Sequence, residues 1–317
     1  MPSPFIESIR QEIRVRHYSL KTEKSYLFWI RQFIRYHNMK HPKDMSNSHI
    51  ETFLSYLANE RKVSSATQNQ ALCAIIFMYR HILKVEIQDL RYSFTKKPKR
   101  MPTVLTHEEV NLILDNLNGQ YWLLCALLYG CGLRINEALG LRIKDLNFEN
   151  QTIYIFRGKG AKDRYTLLPA VLITQLKNQI KVCLDLHKRD CEAGFGLTSL
   201  PSSLIKKYGN AAKDPYWQYL FPSTQRQVHP LDGYTCRHHL HESAFRKQLR
   251  GAVKKSGVLK RVTAHTFRHS FATQLFLQSG SEIRTIQELL GHSDVRTTEL
   301  YTHVIGSKFG FTKSPLD

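Results

Sequence analysis

Nowhere in this sequence do two cysteines fall in the C-x-x-C spacing that zinc sites and dithiol motifs use. The six that occur, Cys73, Cys125, Cys131, Cys183, Cys191 and Cys236, are scattered through mostly apolar surroundings and read as reduced core residues. Also missing is any uninterrupted apolar run of about 20 residues, the length a bilayer-spanning helix needs. The opening MPSPFIESIRQEIRVRH lacks the apolar centre of a signal peptide. These absences argue against a membrane span and a disulfide scaffold, and the expectation is a soluble chain of the cytoplasm. Acidic charge is scarce as well: 26 Asp and Glu stand against 46 Lys and Arg, a formal net charge of +20 over 317 residues. Such an excess exceeds what solubility requires and implies a polyanionic partner, nucleic acid first. The 42% apolar content is enough to build the cores of two domains.

What is present is mostly helical. In SLKTEKSYLFWIRQFIRYHN, Tyr26, Trp29, Ile30, Phe33, Ile34 and His37 recur at helical spacing. The pattern returns at Ile50, Phe53, Leu54 and Leu57, and again in SSATQNQALCAIIFMYRHILK behind an N-cap at Ser64 or Ser65. A basic helical domain over residues 1–94 follows. In TKKPKRMPT apolar periodicity gives way to two prolines and four cations, Lys96, Lys97, Lys99 and Arg100, as suits a linker at 95–103 lying along a phosphate backbone. A second domain, 104–317, opens with Thr106 and Glu109 in capping-box spacing. In QTIYIFRGKGAKDRYTLLPA two β-rich runs flank a Gly-Lys-Gly turn and predict a hairpin with Lys159 near its tip. The rest alternates helices and loops, with a weakly patterned polar insertion near 189–213. The expected fold is therefore mainly α with a small β-sheet.

Three stretches carry chemistry. HTFRHSFATQLF places His265 and Arg268 at i, i+3 on one face of an apolar helix, where an arginine needs a partner to offset desolvation. In YGCGLRINEALGLRIKDL, Arg134 follows a Gly-Cys-Gly-Leu turn and opens a helix; in SEIRTIQELLGHSDVRTTELYTHV a helix stops at Gly291, His292 takes the corner, and Tyr301 ends a second short helix. Two arginine forks can hold the nonbridging oxygens of a phosphodiester in a planar way that lysine cannot reproduce. A phenol is a poor nucleophile near neutrality unless neighbouring positive charge favours phenolate. A lysine on a hairpin could protonate a departing oxygen, and within this hairpin Lys162 rivals Lys159.

In GCGLRINEAL, RGKGAKDR, HTFRHSFAT and LLGHSDVRTTELYTH, with the helical domain before them, the chain resembles the tyrosine recombinases, the phage-integrase family. The resemblance covers nearly the whole chain. It implies an N-terminal core-binding domain and a catalytic domain in which Arg134 and Arg268 clamp the phosphate. Lys159 is then the general acid, and His265 and His292 flank the reaction. Tyr301 is the nucleophile of a 3′-phosphotyrosyl intermediate that leaves a free 5′-hydroxyl. Asn136 departs from the Ser or Thr that many relatives carry there. No metal or cofactor is implied, and the histidines of CRHHLHES have no acidic or thiol companions at metal-binding spacing.

The segment around DPYWQYLFPSTQRQVHPLDGYTCRHHLHES resembles the extra segment of integron integrases. That resemblance implies integration and excision of gene cassettes by joining a duplex platform site to a cassette site folded from one DNA strand, whose bulged bases the protein reads. Trp217, Tyr219, Pro230, His238 and His239 are the candidate base contacts; the plainer alternative is that Trp217 and Tyr219 only pack the insertion onto its domain. The family further implies a homotetramer on synapsed DNA, a Holliday junction, and a tail at 302–317 that docks on a neighbour. A Xer-like or phage integrase acting on duplex sites, a type IB topoisomerase-like enzyme and a noncatalytic DNA-binding protein are the alternatives. With Arg134, Arg268 and Lys159 supplying the positive charge, formation of the covalent adduct should proceed in excess chelator. A strict requirement for added magnesium in that step would contradict the assignment.

Overall fold

The computed structural model describes residues 3–87, 101–156, 163–279 and 283–291. The chain divides into two compact units, residues 1–100 and 101–317. Lys96, Lys97, Lys99 and Arg100, Lys159 and Lys162, His292, Tyr301 and the tail lie outside the described residues.

The first unit is helical: α1 (Pro4–Val15), α2 (Leu20–Tyr36), α3 (Asn47–Asn59) and α4 (Ser65–Phe77), the last running on into a π-helical turn at Met78–Leu83. Each helix contributes one apolar stripe to a common core, among them Ile9 and Ile13, Ile30 and Phe33, Phe53 and Leu54, and Leu72 and Ile75. Ser64 caps α4 by accepting from the Thr67 N–H at 3.3 Å. On α2 the stripe runs through Leu27, Ile30 and Phe33, with Tyr26, Trp29 and Ile34 partly buried beside it, and His37 is the C-cap. Glu23 is also buried on this face because Arg14 and Arg10 of α1 reach it at 2.8 and 3.2 Å.

The second unit begins with α5 (His107–Leu114), whose capping box joins Thr106 and Glu109 reciprocally at 2.9 and 3.2 Å. Next come α6 (Gly119–Gly130) and the five-residue α7 (Ile135–Leu139). Helix α6 buries Leu123 through Leu128 in succession, so it is apolar all round and lies inside the core. A three-stranded antiparallel sheet pairs β1 (Leu146–Asn147) with β2 (Thr152–Ile155) and β2 with β3 (Arg164–Leu167), in the register Ile153 to Thr166 and Tyr154 to Tyr165. The expected hairpin is thus β2–β3. Helix α8 (Ile173–Glu192), α9 (Ser202–Tyr208), a second hairpin of β4 (Pro222–Val228) and β5 (Thr235–His239), then α10 (Glu242–Ser256), α11 (Ala264–Ser279) and α12 (Ile283–Leu290) complete the described elements. Helix α11 packs on α6 and on α12, and α12 packs on β3. Among the described residues no helix is long and apolar enough to cross a membrane.

Three expectations need correction. The insertion is not weakly structured from residue 189: α8 continues to Glu192, and its Asp190 receives a bidentate bond from Arg237 of β5, the Nη2 contact measuring 2.7 Å, with both residues buried. The β4–β5 hairpin was not expected, because β4 reads PSTQRQV and exposes most of its length, so no apolar alternation marks it. Two of the six cysteines, Cys73 and Cys191, are exposed rather than core residues.

Gly132 shows why the turn before α7 has the sequence it has. Its φ is +62°, and a Cβ there would sit 2.4 Å from a Phe271 ring carbon of α11. Gly132→Ala combines left-handed strain with overpacking and should destabilise the protein by about 1–3 kcal/mol, measured as a lower urea midpoint; an unchanged midpoint would contradict this reading of the turn.

Candidate active site

Helix α7 carries Glu137, and three arginines from three elements converge on it. Arg134, the residue before α7, donates Nη1 to Glu137 Oε1 at 2.6 Å. Arg164, the first residue of β3, donates Nη1 and Nη2 to the two carboxylate oxygens at 2.9 and 2.7 Å. Arg268 of α11 brings Nη1 to 3.9 Å from Oε2. All four side chains are largely buried, with 17%, 10%, 5% and 8% of the Arg134, Arg164, Arg268 and Glu137 side chains exposed. Burial alone would raise the Glu137 pKa; the bonds and charge of Arg164, followed by those of Arg134, overcome it and hold the carboxyl at about 2. The acid is therefore ionised at any physiological pH.

The same three arginines finish α12. The last carbonyls of a helix have no partner within it, and here three in succession are taken by guanidinium groups. Arg164 Nε donates to Leu289 O at 3.0 Å, Arg268 Nη2 to Leu290 O, and Arg134 Nη2 to Gly291 O at 3.2 Å. Arg268 also donates Nη1 to Gly132 O at 2.6 Å. Positive charge at a helix C-terminus is favourable in itself. Gly291 has φ +63°, and a Cβ on it would meet Arg164 Cδ at 2.9 Å, so the turn after α12 and the arginine need each other's shape.

His265 follows the first residue of α11 and is exposed; desolvation on its protein-facing side, then the charges of Arg268 and Arg134, lower its pKa. His269, one turn on, is pushed down to about 4 by burial, with His265 and Arg268 adding to the effect. Both imidazoles are thus neutral near pH 7. The structure brings Arg134, His265 and Arg268 together in this one region. Glu137 and Arg164 were missed as site members. Their signal was in the sequence: Glu137 follows Arg134 at i, i+3, and Arg164 ends the RGKGAKDR run.

A cavity of about 570 Å³ lies on the other side of Glu137. Its walls include Phe156, Arg142, Trp217, Tyr219, His238 and His239. Arg142 organises them. It donates to the Trp217 and Ser199 carbonyls, the latter at 2.7 Å, and to the Tyr219 hydroxyl at 3.0 Å, with its guanidinium 4.1 Å from the Tyr219 ring centroid. Lys144 Nζ stands 4.9 Å from the Trp217 ring, whose indole Nε1–H is buried without an acceptor. The rings of His238 and His239 are 4.1 Å apart, and burial, then His239, drives the His238 pKa to about 4. Of the five expected base contacts, Trp217, Tyr219, His238 and His239 line this cavity, whereas Pro230 is exposed and does not. Tyr219 is packed as a wall, while Trp217 and the two histidines are only partly buried. Among the described residues no group of His, Cys, Asp and Glu is arranged to hold a metal ion.

A mostly helical unit with small antiparallel sheets thus sets three arginines around one buried carboxylate, an arrangement with positive charge in excess. The chain belongs to the phage integrase family, the tyrosine recombinases, which cleave and rejoin DNA: the family's catalytic domain matches residues 103–307 and its N-terminal SAM-like domain residues 5–89. It is 43% identical over 313 residues to an integrase/recombinase of Escherichia coli, covering 98% of this chain and 93% of that one. Identity to the tyrosine recombinase XerD of Oceanobacillus iheyensis is 29% over 310 residues, covering 95% and 92%. The fold is shared with the XerH site-specific recombinase in its post-cleavage complex with palindromic difH DNA, at a TM-score of 0.62 and 23% identity, covering 96% and 82%.

The depressed Glu137 pKa has a consequence for stability. Relative to the ordinary glutamate value of 4.5, a folded pKa of about 2 corresponds to an upper limit of roughly 3 kcal/mol. That contribution is complete above the unfolded-state pKa and is lost as pH falls from there toward about 2. Glu137→Gln should therefore be less stable than the parent at pH 6 and approach it as the pH drops below the ordinary glutamate range. Urea melts across that range check this; a gap independent of pH would contradict it.

Proposed function

We propose that this recombinase is of the integron integrase kind, integrating and excising gene cassettes by joining a duplex platform site to a cassette site folded from a single DNA strand. The observation that supports this reading most is the cavity walled by Trp217, Tyr219, His238 and His239. It has the size and aromatic faces to accept an unpaired base, and a neutral lining on the histidine side. Stacking of a flipped base on such rings is worth about 1–3 kcal/mol. Residues 1–94 supply a second DNA-binding surface, and the lysines and arginine of 95–103 follow the phosphate backbone.

In the chemical step the Tyr301 phenolic oxygen attacks phosphorus as its proton passes to one of the flanking histidines, His265 or His292. The bond to the 5′-oxygen breaks, the DNA 3′ end stays on tyrosine as a phosphodiester, and Lys159 gives its proton to the departing 5′-oxygen. Arg134 and Arg268 hold the nonbridging oxygens, on which charge accumulates in the transition state. His265 and His292 supply hydrogen bonds around the same phosphate. Four copies act on synapsed sites through a Holliday junction, each tail at 302–317 docking on a neighbour. A second reading, a Xer-like enzyme on duplex sites alone, is favoured by the full-length likeness to XerD.

Tyr301→Phe should abolish the covalent adduct, seen as a slow-migrating species on a denaturing gel, with DNA affinity nearly intact; persistence of the adduct would overturn the nucleophile assignment. Trp217→Ala should weaken binding to a bulged single-strand hairpin by about 1–3 kcal/mol with little loss on duplex. Equal losses on both DNAs would assign the tryptophan to packing and favour the Xer-like reading.

A further inference from the structure

We infer that Arg164 is a positioning residue for strand cleavage: it occupies Glu137, so that the guanidiniums of Arg134 and Arg268 remain available to the scissile phosphate. The inference rests on the reading that those two arginines hold the phosphate.

All three arginines donate to protein acceptors, Arg268 to the Gly132 and Leu290 carbonyls and Arg134 to Glu137 and the Gly291 carbonyl, and they differ in how much of each is spent on the carboxylate. Arg164 spends Nε, Nη1 and Nη2 on protein acceptors, namely the Leu289 carbonyl and both oxygens of Glu137. Its side chain is 10% exposed and lies against Gly291. Arg134 takes a single contact from the carboxylate through its side chain, and the Nη1 of Arg268 stands 3.9 Å away. Arg164 is thus the arginine whose side chain bonds both carboxylate oxygens.

The charges explain why a third arginine is needed. Three guanidiniums around one carboxylate leave two positive charges in excess. A phosphodiester brings one negative charge and develops a second as the pentacoordinate transition state forms. Without Arg164 the excess falls to one, and Glu137, still ionised and buried, draws Arg134 and Arg268 onto itself in competition with the phosphate. The penalty falls on the transition state, where the second charge appears, more than on ground-state DNA binding. Arg164 also begins β3, the strand that follows the segment holding Lys159, and it caps α12, the helix that leads to His292.

Single-turnover cleavage of a nicked suicide DNA substrate by the full chain, paired with equilibrium DNA binding and thermal melts, tests this. Arg164→Met should slow adduct formation by about 10- to 100-fold, as loss of a partner that orients reacting groups does, with binding weakened less than about threefold. Adding Glu137→Gln to it restores the charge excess and should recover cleavage at least about fivefold, an effect that repair of folding alone would not give if the melts of the two variants coincide. Should the Met variant not fold, Arg164→Lys serves: it keeps the charge, loses the fork and should cleave about tenfold more slowly while melting near the parent. Cleavage within about twofold of the parent by Arg164→Met or, failing that, Arg164→Lys, or no recovery in the double variant, would overturn the inference. Arg268→Lys is the separate control: if it cleaves normally, the phosphate reading fails, whatever Arg164 does.

Discussion

Three consecutive carbonyls at the end of α12 and one buried carboxylate on α7 are satisfied by the same three arginines, and most of the second unit's geometry depends on that shared satisfaction. Each guanidinium ties an element to both acceptors or to their neighbours: the turn before α7 through Arg134, β3 through Arg164, α11 through Arg268. A buried charge without a partner is costly, and so is a helix end whose carbonyls lack donors. Here each problem is the other's remedy. Three guanidiniums against one carboxylate leave the cluster with positive charge in excess, which is the basis of the proposed phosphate site.

The cavity behind Glu137 follows a similar logic on a larger scale. Arg142 sits in the run GLRIKDL, which holds no aromatic residue. It becomes central because the chain returns at Ser199, Trp217 and Tyr219 to meet its donors. The buried Arg237 to Asp190 pair then locks β5, and with it His238 and His239, onto α8. An otherwise polar segment is thereby given fixed walls. Glu137 and Asn136 both line this cavity, and Glu137 also holds the arginine cluster together.

Much of this was legible before the structure. Helical spacing located the stripes of α2, α3 and α4, the Thr106 and Glu109 pair marked the start of α5, and the Gly-Lys-Gly turn located β2 and β3. The placement of His265 and Arg268 on one face of an apolar helix pointed at an anion. What could not be read was long-range pairing. Glu137 follows Arg134 at i, i+3, and nothing local says that Arg164, 27 residues on, and Arg268 will join it. The β4–β5 hairpin was hidden for the opposite reason: its first strand is exposed and polar, and its stability comes from Arg237 bonding to Asp190, 47 residues away in the chain. Pro230, a candidate base contact for its apolar face, is not among the residues that line the aromatic cavity.

The most direct test of this account is a structure of the protein on an uncleaved DNA site. It should show the scissile phosphate with nonbridging oxygens within hydrogen-bond distance of Arg134 and Arg268, while both oxygens of Glu137 remain bonded to Arg164. A phosphate contacted by Arg164 itself, or Arg134 and Arg268 turned wholly onto Glu137 with the phosphate held elsewhere, would contradict it.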